Sequence, residues 1–135
     1  MEPEREPTEE LTLLGREVRG PVRALETFPA PETVTWVTLE SAELTSVCPV
    51  TGQPDFASVA IGYRPNGRCL ESKSLKLYLW SFRDEPIFGE GLAARIAQDV
   101  AEATEATRVE VTLRQAVRGG ITITARAEVG SPERG

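Results

Sequence analysis

The hydrophobic periodicity of this chain changes along its length, and this change constrains the fold more than any other feature. Apolar and polar side chains alternate over residues 33–40 and again over 56–63, which predicts two strands. From residue 72 onward, the apolar residues recur instead at the spacing of a helix. This spacing predicts one helix over residues 72–83, where Ser72 could be the N-cap, and a second helix over residues 90–103.

Two more alternating runs, over residues 108–117 and 121–129, predict a second pair of strands. Gly119 and Gly120 separate them, and a glycine pair between alternating runs is typical of a tight hairpin turn. The order strand, strand, helix, helix, strand, strand indicates an α+β domain, with an antiparallel sheet of about four strands and helices on one face. Because such a sheet leaves its outer strands unpaired, we expect a homo-oligomer, in the form of a closed ring of sheets.

The first residues differ in composition from the rest of the chain. Residues 1–10 are mainly Glu, Pro and Arg, which predicts a disordered tail, and residues 11–30 carry only a few apolar anchors. A chain of 135 residues is long enough for one domain with a real core. We therefore expect an acidic flexible tail and edge segment over residues 1–24, followed by one folded domain over residues 25–135.

Charge and cysteine content exclude several classes of partner. The formal net charge of -6 is unfavourable for binding a phosphate backbone, so we expect no direct contact with nucleic acid. No apolar run is long enough to span a membrane, and the acidic N-terminus does not resemble a signal peptide. Two cysteines do not make a disulfide framework, and a reducing cytoplasm is the expected compartment.

The segment CPVTGQPD, residues 48–55, carries the most chemical information. It places the Cys48 thiol and the Asp55 carboxyl on one stiff loop, which suits a nucleophile with a proton donor beside it. Two other interpretations stay open, because Cys48 could be a small buried apolar residue and Asp55 a turn carboxylate. The chain has no histidine, so it can form neither a Ser-His-Asp nor a Cys-His arrangement, and we expect no metal site.

Three basic residues are candidates for binding an anion. Lys73 and Lys76 lie three positions apart on one face of the predicted helix, so an anion between them would relieve their repulsion. Arg118, beside the glycine pair, could add a third cationic contact. The alternatives are a solvated helix face and an ordinary surface arginine. We interpret Cys69 as structural, with a link to Cys48 as the alternative.

Glu90 begins the second predicted helix, where the helix dipole favours a negative charge. The alternative role is recognition of a guanine-like base. A carboxylate accepts two parallel hydrogen bonds, which matches a ring N–H with an amino group beside it. Glu71 and Ser72 either frame the same pocket or are only residues that start a helix.

The segment ESKSLKLY, residues 71–78, resembles the signature motif of the 7-cyano-7-deazaguanine reductases, the NADPH-dependent nitrile reductases of queuosine biosynthesis. The loop over residues 48–55 resembles the nucleophile loop of that family, and the length is similar to its short single-domain subfamily. The resemblance implies the tunnelling fold, or T-fold, in which two helices are inserted between the strand pairs of a four-stranded antiparallel sheet. It also implies that residues 25–135 form the catalytic domain, in stacked rings with active sites at subunit interfaces.

The resemblance implies a role for each candidate residue. Cys48 attacks the nitrile carbon and forms a covalent thioimide, Asp55 supplies the proton, and two NADPH molecules complete the reduction to the aminomethyl product. The residues implied in substrate binding are Leu70, Glu71, Ser72, Gly89 and Glu90. The residues implied in binding the NADPH phosphates are Lys73, Lys76 and Arg118.

One position departs from the family pattern, because Gly89 stands where the family usually has histidine. Two other functions therefore stay open. One is a related amidine-forming enzyme that acts on the cyano-deazaguanine of tRNA, and the other is a base-binding protein that captures the nitrile without reducing it. Lys73 and Lys76 favour the reductase, because the amidine-forming relatives lack this lysine motif, and the acidic charge opposes tRNA binding.

Overall fold

The computed structural model describes residues 20–131. In chain order, its elements are β1 (Thr27–Pro29), β2 (Val37–Val47), β3 (Pro54–Arg64), β4 (Arg68–Leu70), α1 (Ser72–Trp80), α2 (Gly89–Thr104), β5 (Arg108–Gln115) and β6 (Thr124–Gly130). The predicted tail over residues 1–24 lies outside the described residues, apart from its last part, 20–24. No helix within residues 20–131 is long and apolar enough to cross a membrane.

The predicted α+β architecture is confirmed. One antiparallel sheet has the strand order β2-β3-β5-β6, and both helices are inserted between its two strand pairs. At one end of this sheet, which we call the loop end, β2 finishes at Val47 opposite Pro54, where β3 starts, and β5 finishes at Gln115. The opposite end, which we call the far end, holds the pair Arg64 and Arg108.

The core lies between the helices and one face of the sheet, because alternate residues of a strand share a face. The fully buried side chains of the two central strands are Ile61, Tyr63, Val109, Val111 and Leu113. The stripe of α2 that packs on them consists of Leu92, Ile96 and Val100. This stripe recurs at every fourth residue, as the helical spacing predicts.

Two predicted boundaries of β2 and α1 are wrong because tertiary partners decide them. β2 begins at Val37 and runs on to Val47, since β3 pairs along its whole length through a bulge between Ser41 and Leu44. α1 ends at Trp80, and a turn over residues 81–84 follows instead of three more helical residues.

The N-cap of α1 is Glu71, not Ser72 as predicted. The Glu71 carboxylate accepts hydrogen bonds from the backbone N–H groups of Lys73 at 2.9 Å and Ser74 at 2.8 Å. These two donors have no partner inside the helix, so the carboxylate satisfies them and Ser72 becomes the first helical residue.

A second, two-stranded sheet of β1 and β4 was not predicted. Its strands are antiparallel, with Phe28 opposite Cys69. Strands of three residues are too short to show alternation, so periodicity cannot reveal them. Cys69 is buried in this sheet at 5% exposure, and both Cys69 and Cys48 are free thiols.

The hairpin between β5 and β6 turns at the predicted glycine pair. Gly119 and Gly120 have φ angles of 59° and 78°. Arg118 and Ile121 flank them and exchange backbone hydrogen bonds of 2.9 and 3.0 Å. A two-residue turn with positive φ at both positions suits the twist of the strands and favours glycine. The regular ladder stops before the turn, so both strands are shorter than predicted.

Candidate active site

Cys48 lies at the loop end, directly after β2. Its backbone N–H donates to Gln53 O at 2.8 Å, and the Gly52 N–H donates to Cys48 O at 2.9 Å, so this part of the loop closes into a compact turn. Gly52 has a φ of 78°, which glycine adopts without strain. Cys48 is only partly buried, which is inconsistent with a sealed core residue.

The turn lowers the pKa of the Cys48 thiol from its ordinary value of 9.0. The largest cause is a hydrogen bond from the Thr51 side chain, followed by hydrogen bonds from the backbone of Thr51 and of Val50. Burial and the nearby charge of Asp55 act in the opposite direction and raise the pKa. Hydrogen bonds to sulfur stabilise its charged form, so the turn favours the thiolate, which is the nucleophilic species.

The side chain of Asp55 is held by Arg118, which flanks the hairpin turn between β5 and β6. The Arg118 guanidinium contacts Asp55 Oδ1, and its second terminal nitrogen donates to Gln53 Oε1 at 2.9 Å. The Asp55 side chain keeps 13% of its exposure. Its other oxygen, Oδ2, makes no hydrogen bond within residues 20–131, so this oxygen can still meet a substrate.

Glu90 also lies at the loop end. The Val47 N–H donates to Glu85 O at 2.9 Å, and the Ile87 N–H donates to Val47 O at 3.1 Å. The segment before α2 is therefore tied to the residue next to Cys48. Glu90 follows in the first turn of α2 and is exposed. The fold thus brings three predicted groups to one end, namely the thiol, the acid and the carboxylate expected to bind a base.

Gly89 begins α2 and packs against β5. A Cβ atom here would lie 3.1 Å from both Cδ and Nε2 of Gln115, and 3.4 Å from Cδ2 of Leu113. Gln115 was not among the predicted site residues. The feature of the sequence that could have identified Gln115 is its position in the strand. It continues the inward-facing series Val109, Val111 and Leu113, where a polar residue is unexpected.

The predicted substrate-binding residues 70–72 lie towards the far end. The Leu70 N–H donates to the Tyr63 hydroxyl at 2.8 Å, and Tyr63 is the last residue but one of β3. At about 3.3 Å per strand residue, Tyr63 lies roughly 30 Å along β3 from Pro54. A single copy of the chain therefore does not bring residues 70–72 next to Cys48.

Lys73 and Lys76 line a cavity of about 510 Å³ between α1 and β2. The other lining residues are Ser41, Glu43, Thr45, Leu77, Leu79 and Trp80. Two cations beside an aromatic and aliphatic wall match a ligand with phosphate groups and a flat ring. Arg118 does not line this cavity, since it contacts Asp55. Within residues 20–131, no three Cys, Asp or Glu side chains cluster as ligands of a metal ion.

Known proteins resemble this chain along most of its length. The model of the family described as QueF-like protein matches residues 54–134. A protein of Syntrophus aciditrophicus named NADPH-dependent 7-cyano-7-deazaguanine reductase is 54% identical over 124 residues, covering 90% of this chain and 88% of the relative. A protein of Frankia casuarinae with the same name is 47% identical over 115 residues, covering 85% of this chain and 92% of the relative.

Among solved structures of similar fold is the crystal structure of the archaeosine synthase QueF-Like in the apo form. It has a TM-score of 0.70 at 28% identity, and the match covers 75% of this chain and 99% of the other. The predicted tunnelling fold is confirmed by this likeness. The family resemblance predicted from residues 48–55 and 71–78 is confirmed too, and the chain belongs to the QueF-like family, with the NADPH-dependent 7-cyano-7-deazaguanine reductases as its relatives.

Proposed function

We propose that this chain is an NADPH-dependent nitrile reductase that converts 7-cyano-7-deazaguanine to 7-aminomethyl-7-deazaguanine for tRNA queuosine biosynthesis. The observation that carries the proposal is the partly exposed Cys48 thiol, with its lowered pKa, in the turn that leads to Asp55 at the start of β3. The relatives are named for the same activity. A reducing cytoplasm would keep the thiol free and supply the NADPH.

The first step is covalent capture of the nitrile. The Asp55 carboxylate takes the proton of the Cys48 thiol, and the thiolate gives an electron pair to the nitrile carbon and forms a C–S bond, while one C–N π bond opens and the nitrogen takes that proton from the Asp55 carboxyl. The product is a thioimide, which accepts hydride more readily than a nitrile does. Asp55 suits this step because it lies at the start of β3, where the turn after Cys48 ends, and because its Oδ2 is not engaged by Arg118.

The cavity beside α1 fits the phosphate-bearing part of NADPH. Lys73 and Lys76 would hold its phosphates by charge, and Trp80 offers a flat apolar wall. When bound, NADPH supplies the hydrides that reduce the thioimide and then the imine that is left when the sulfur departs. Arg118 does not line this cavity but has five N–H donors, so beside its contact with Asp55 it could reach a phosphate of NADPH held in the cavity of a neighbouring copy.

The binding site for the base lies between two copies of the chain in this proposal. Glu90 at the loop end would accept hydrogen bonds from its amino group and ring N–H, whereas residues 70–72 of the same copy lie beside Tyr63, roughly 30 Å along β3 from its start. No strand pairs with the outer edge of β2 or β6 within residues 20–131. A homo-oligomer of stacked rings would bring the far end of one copy to the loop end of the next and complete the pocket.

An amidine-forming enzyme is the second candidate, and the likeness to the archaeosine synthase structure favours it. Such an enzyme would capture the same nitrile through Cys48 but use ammonia, not hydride, to finish the reaction on tRNA. The net charge of -6 opposes tRNA binding. A base-binding protein that does not reduce is the third candidate, supported by Gly89 in place of the family's usual histidine.

NADPH consumption separates these candidates. The full chain is mixed with 7-cyano-7-deazaguanine and NADPH, and the absorbance of NADPH and the mass of the product are followed. The reductase should consume two NADPH per base and release the aminomethyl product. Capture of the base without NADPH consumption would contradict reduction and favour one of the other two candidates.

The lysine cavity can be tested in the same assay. Replacing Lys73 and Lys76 with alanine should raise the NADPH concentration needed for half-maximal rate, because the phosphates lose their cationic partners. Capture of the base without NADPH should stay as in the unmodified protein. An unchanged NADPH requirement would contradict the assignment of this cavity to NADPH.

A further inference from the structure

Gln115 occupies a position at the loop end that the proposed mechanism does not use. Its backbone is fixed opposite Ala57 of β3, and its N–H donates to Ile123 O at 2.9 Å. Its side chain ends against the start of α2, with Cδ and Nε2 lying 3.1 Å from the point where a side chain of residue 89 would begin. The amide therefore lies next to the backbone that carries Glu90.

The amide of Gln115 is available to a ligand. Gln115 is only partly buried, and within residues 20–131 its side chain makes no hydrogen bond. The amide has two N–H donors and one acceptor oxygen. A polar group in an otherwise apolar row costs desolvation energy unless a partner binds it, which is the arrangement expected of a group that contacts ligand.

The order of groups at the loop end matches the order of groups along a guanine-like base. On one side, Gln115 packs against Gly89, the residue before Glu90, and on the other it lies opposite Ala57, whose neighbour on the same face of β3 is Asp55. Along 7-cyano-7-deazaguanine, the amino group and ring N–H come first, the 6-oxo oxygen next and the nitrile last. A base with its first two groups at Glu90 and its nitrile near Asp55 presents the oxo oxygen between them.

We infer that the Gln115 side chain donates a hydrogen bond from Nε2 to the 6-oxo oxygen of the bound base and so determines specificity for that oxygen. The inference rests on the proposed function, because it takes the same base in the same pocket. Glycine at position 89 is part of the arrangement. A side chain there would displace the amide, since even its Cβ would lie 3.1 Å from Nε2.

The test compares two ligands that differ in one atom. 7-Cyano-7-deazaguanine and its 6-thio analogue both keep the amino group and the ring N–H, but sulfur is a much weaker acceptor than oxygen. Kd values are measured by calorimetry in a Cys48→Ala background, where covalent capture cannot mask binding. We expect a preference for the oxo base of about fivefold to tenfold, which Gln115→Leu should reduce to near unity.

Two further variants make the test independent of folding. Gln115→Glu keeps the size of the side chain but lacks the amide donor, so it should lose the preference even where Gln115→Leu does not fold. Arg114→Leu changes the adjacent residue of β5, whose side chain lies on the opposite face of the sheet, and should keep the full preference. Melting temperatures report whether each variant is folded.

The outcomes separate this inference from the proposed function. A folded Gln115 variant that keeps the oxo preference overturns the inference, and so does an equal loss of preference in Arg114→Leu. Loss of the preference in the Gln115 variants alone supports it. Failure of the unmodified protein to capture the base would overturn the proposed function itself, whereas capture with unchanged preference overturns only the role of Gln115.

Discussion

The reactivity of Cys48 depends on the turn that follows it. Thr51 is the central residue, because its hydroxyl hydrogen-bonds to the Cys48 sulfur and accepts a hydrogen bond from the Gln53 N–H at 3.2 Å. The second contact orients the hydroxyl so that its proton points away from Gln53. The Thr51 side chain, which is outside the predicted site, is therefore the largest single cause that favours the Cys48 thiolate.

Replacing Thr51 with valine keeps the shape of the side chain and removes the hydroxyl. The pKa of Cys48 should rise, because the largest cause of its lowering is lost. Alkylation of Cys48 by iodoacetamide should become several-fold slower at neutral pH, and its pH profile should move to higher pH. Cys69, which is 5% exposed, is the internal reference for a thiol that does not react in the folded protein. An unmoved pH profile would contradict this role of Thr51.

The sequence predicts Cys48 and Asp55 as candidates for the chemistry at the loop end, but it does not predict the residues that contact them. Cys48 and Asp55 can be recognised because they share one short loop rich in proline and glycine. Arg118 reaches Asp55 from 63 positions away, and a contact across that separation leaves no local pattern. Gln115 is visible only as a polar residue in an apolar series, which is a weak signal without the packing of α2.

Among the elements, the turn between α1 and α2 is held by a charged contact. Arg23 Nε donates to Ser81 Oγ at 2.6 Å, and a terminal nitrogen donates to Ser81 O at 2.7 Å and Glu85 Oε1 at 3.2 Å. The carbonyl of Glu85 in turn accepts from Val47, the residue before Cys48. Arg23 therefore connects the N-terminal segment to the elements that position the loop end.

Replacing Arg23 with alanine should destabilise the protein. It removes hydrogen bonds from a charged donor and a cation–π contact of 4.0 Å to the Phe82 ring, so the free energy of unfolding in urea should fall by about 1–3 kcal/mol. Arg83→Ala is the matched control. Arg83 and Asp84 are 53% and 90% exposed, so this variant should change stability by less than about 0.5 kcal/mol. Equal losses in both variants would contradict the importance of the Arg23 contact.

The open face of the sheet carries a network of four charges. Arg108 donates to Glu128 at 2.8 Å and to Glu110 at 3.1 Å, and Arg126 donates to Glu128 at 2.6 Å and to Glu110 at 3.0 Å. The hydrogen bond from Arg126 is the first cause that lowers the pKa of Glu128 from its ordinary value of 4.5, and that from Arg108 is the second. While it is ionised, Glu128 accepts from an arginine of each strand, so its charge adds to the Arg126–Glu110 contact between β5 and β6.

Stability should consequently depend on pH through Glu128. A carboxyl whose pKa is lowered by folding stabilises the folded state above its unfolded pKa, and this contribution is lost as the pH falls through the folded value. The unmodified protein should melt at a higher temperature than Glu128→Gln at neutral pH. The two melting temperatures should converge as the pH falls below 4.5 and through the lowered pKa of the folded state. A difference that stays the same as the pH falls would contradict this account.

Length decides which elements could be predicted from the sequence. β3, expected over residues 56–63, spans Pro54–Arg64, and α2, expected over residues 90–103, spans Gly89–Thr104, because both are long enough for a clear period. β1 and β4 have three residues each and show no period. The cap of α1 was missed because Glu71 is not among the residue types that helix N-caps prefer.

For the whole molecule, the separation of the two ends is the main consequence of the fold. Cys48 and Glu90 lie at the loop end, and residues 70–72 lie roughly 30 Å along β3 from its start. Motifs in the sequence predict the members of a site but not the distance between them. The distance follows from the strand length and the register, which become apparent only once the chain is folded.

Mixed oligomers test whether two copies share one site. Cys48→Ala removes the nucleophile at the loop end, and Ser72→Tyr would fill the pocket from the exposed start of α1, so neither variant alone should reduce the nitrile. After the two are unfolded and refolded together, about a quarter of the interfaces should combine an intact Cys48 with an intact Ser72. NADPH consumption should recover accordingly. Mixed oligomers that form without any recovery would contradict a shared site.

The most direct test of the account is the intact mass of the protein after incubation with 7-cyano-7-deazaguanine in the absence of NADPH. The mass should increase by that of one base, and peptide mapping should locate the addition on Cys48. Cys48→Ala should show no increase under the same conditions. An unmodified mass for the unaltered protein, or an adduct on any other residue, would contradict the claim that this sulfur captures the nitrile carbon.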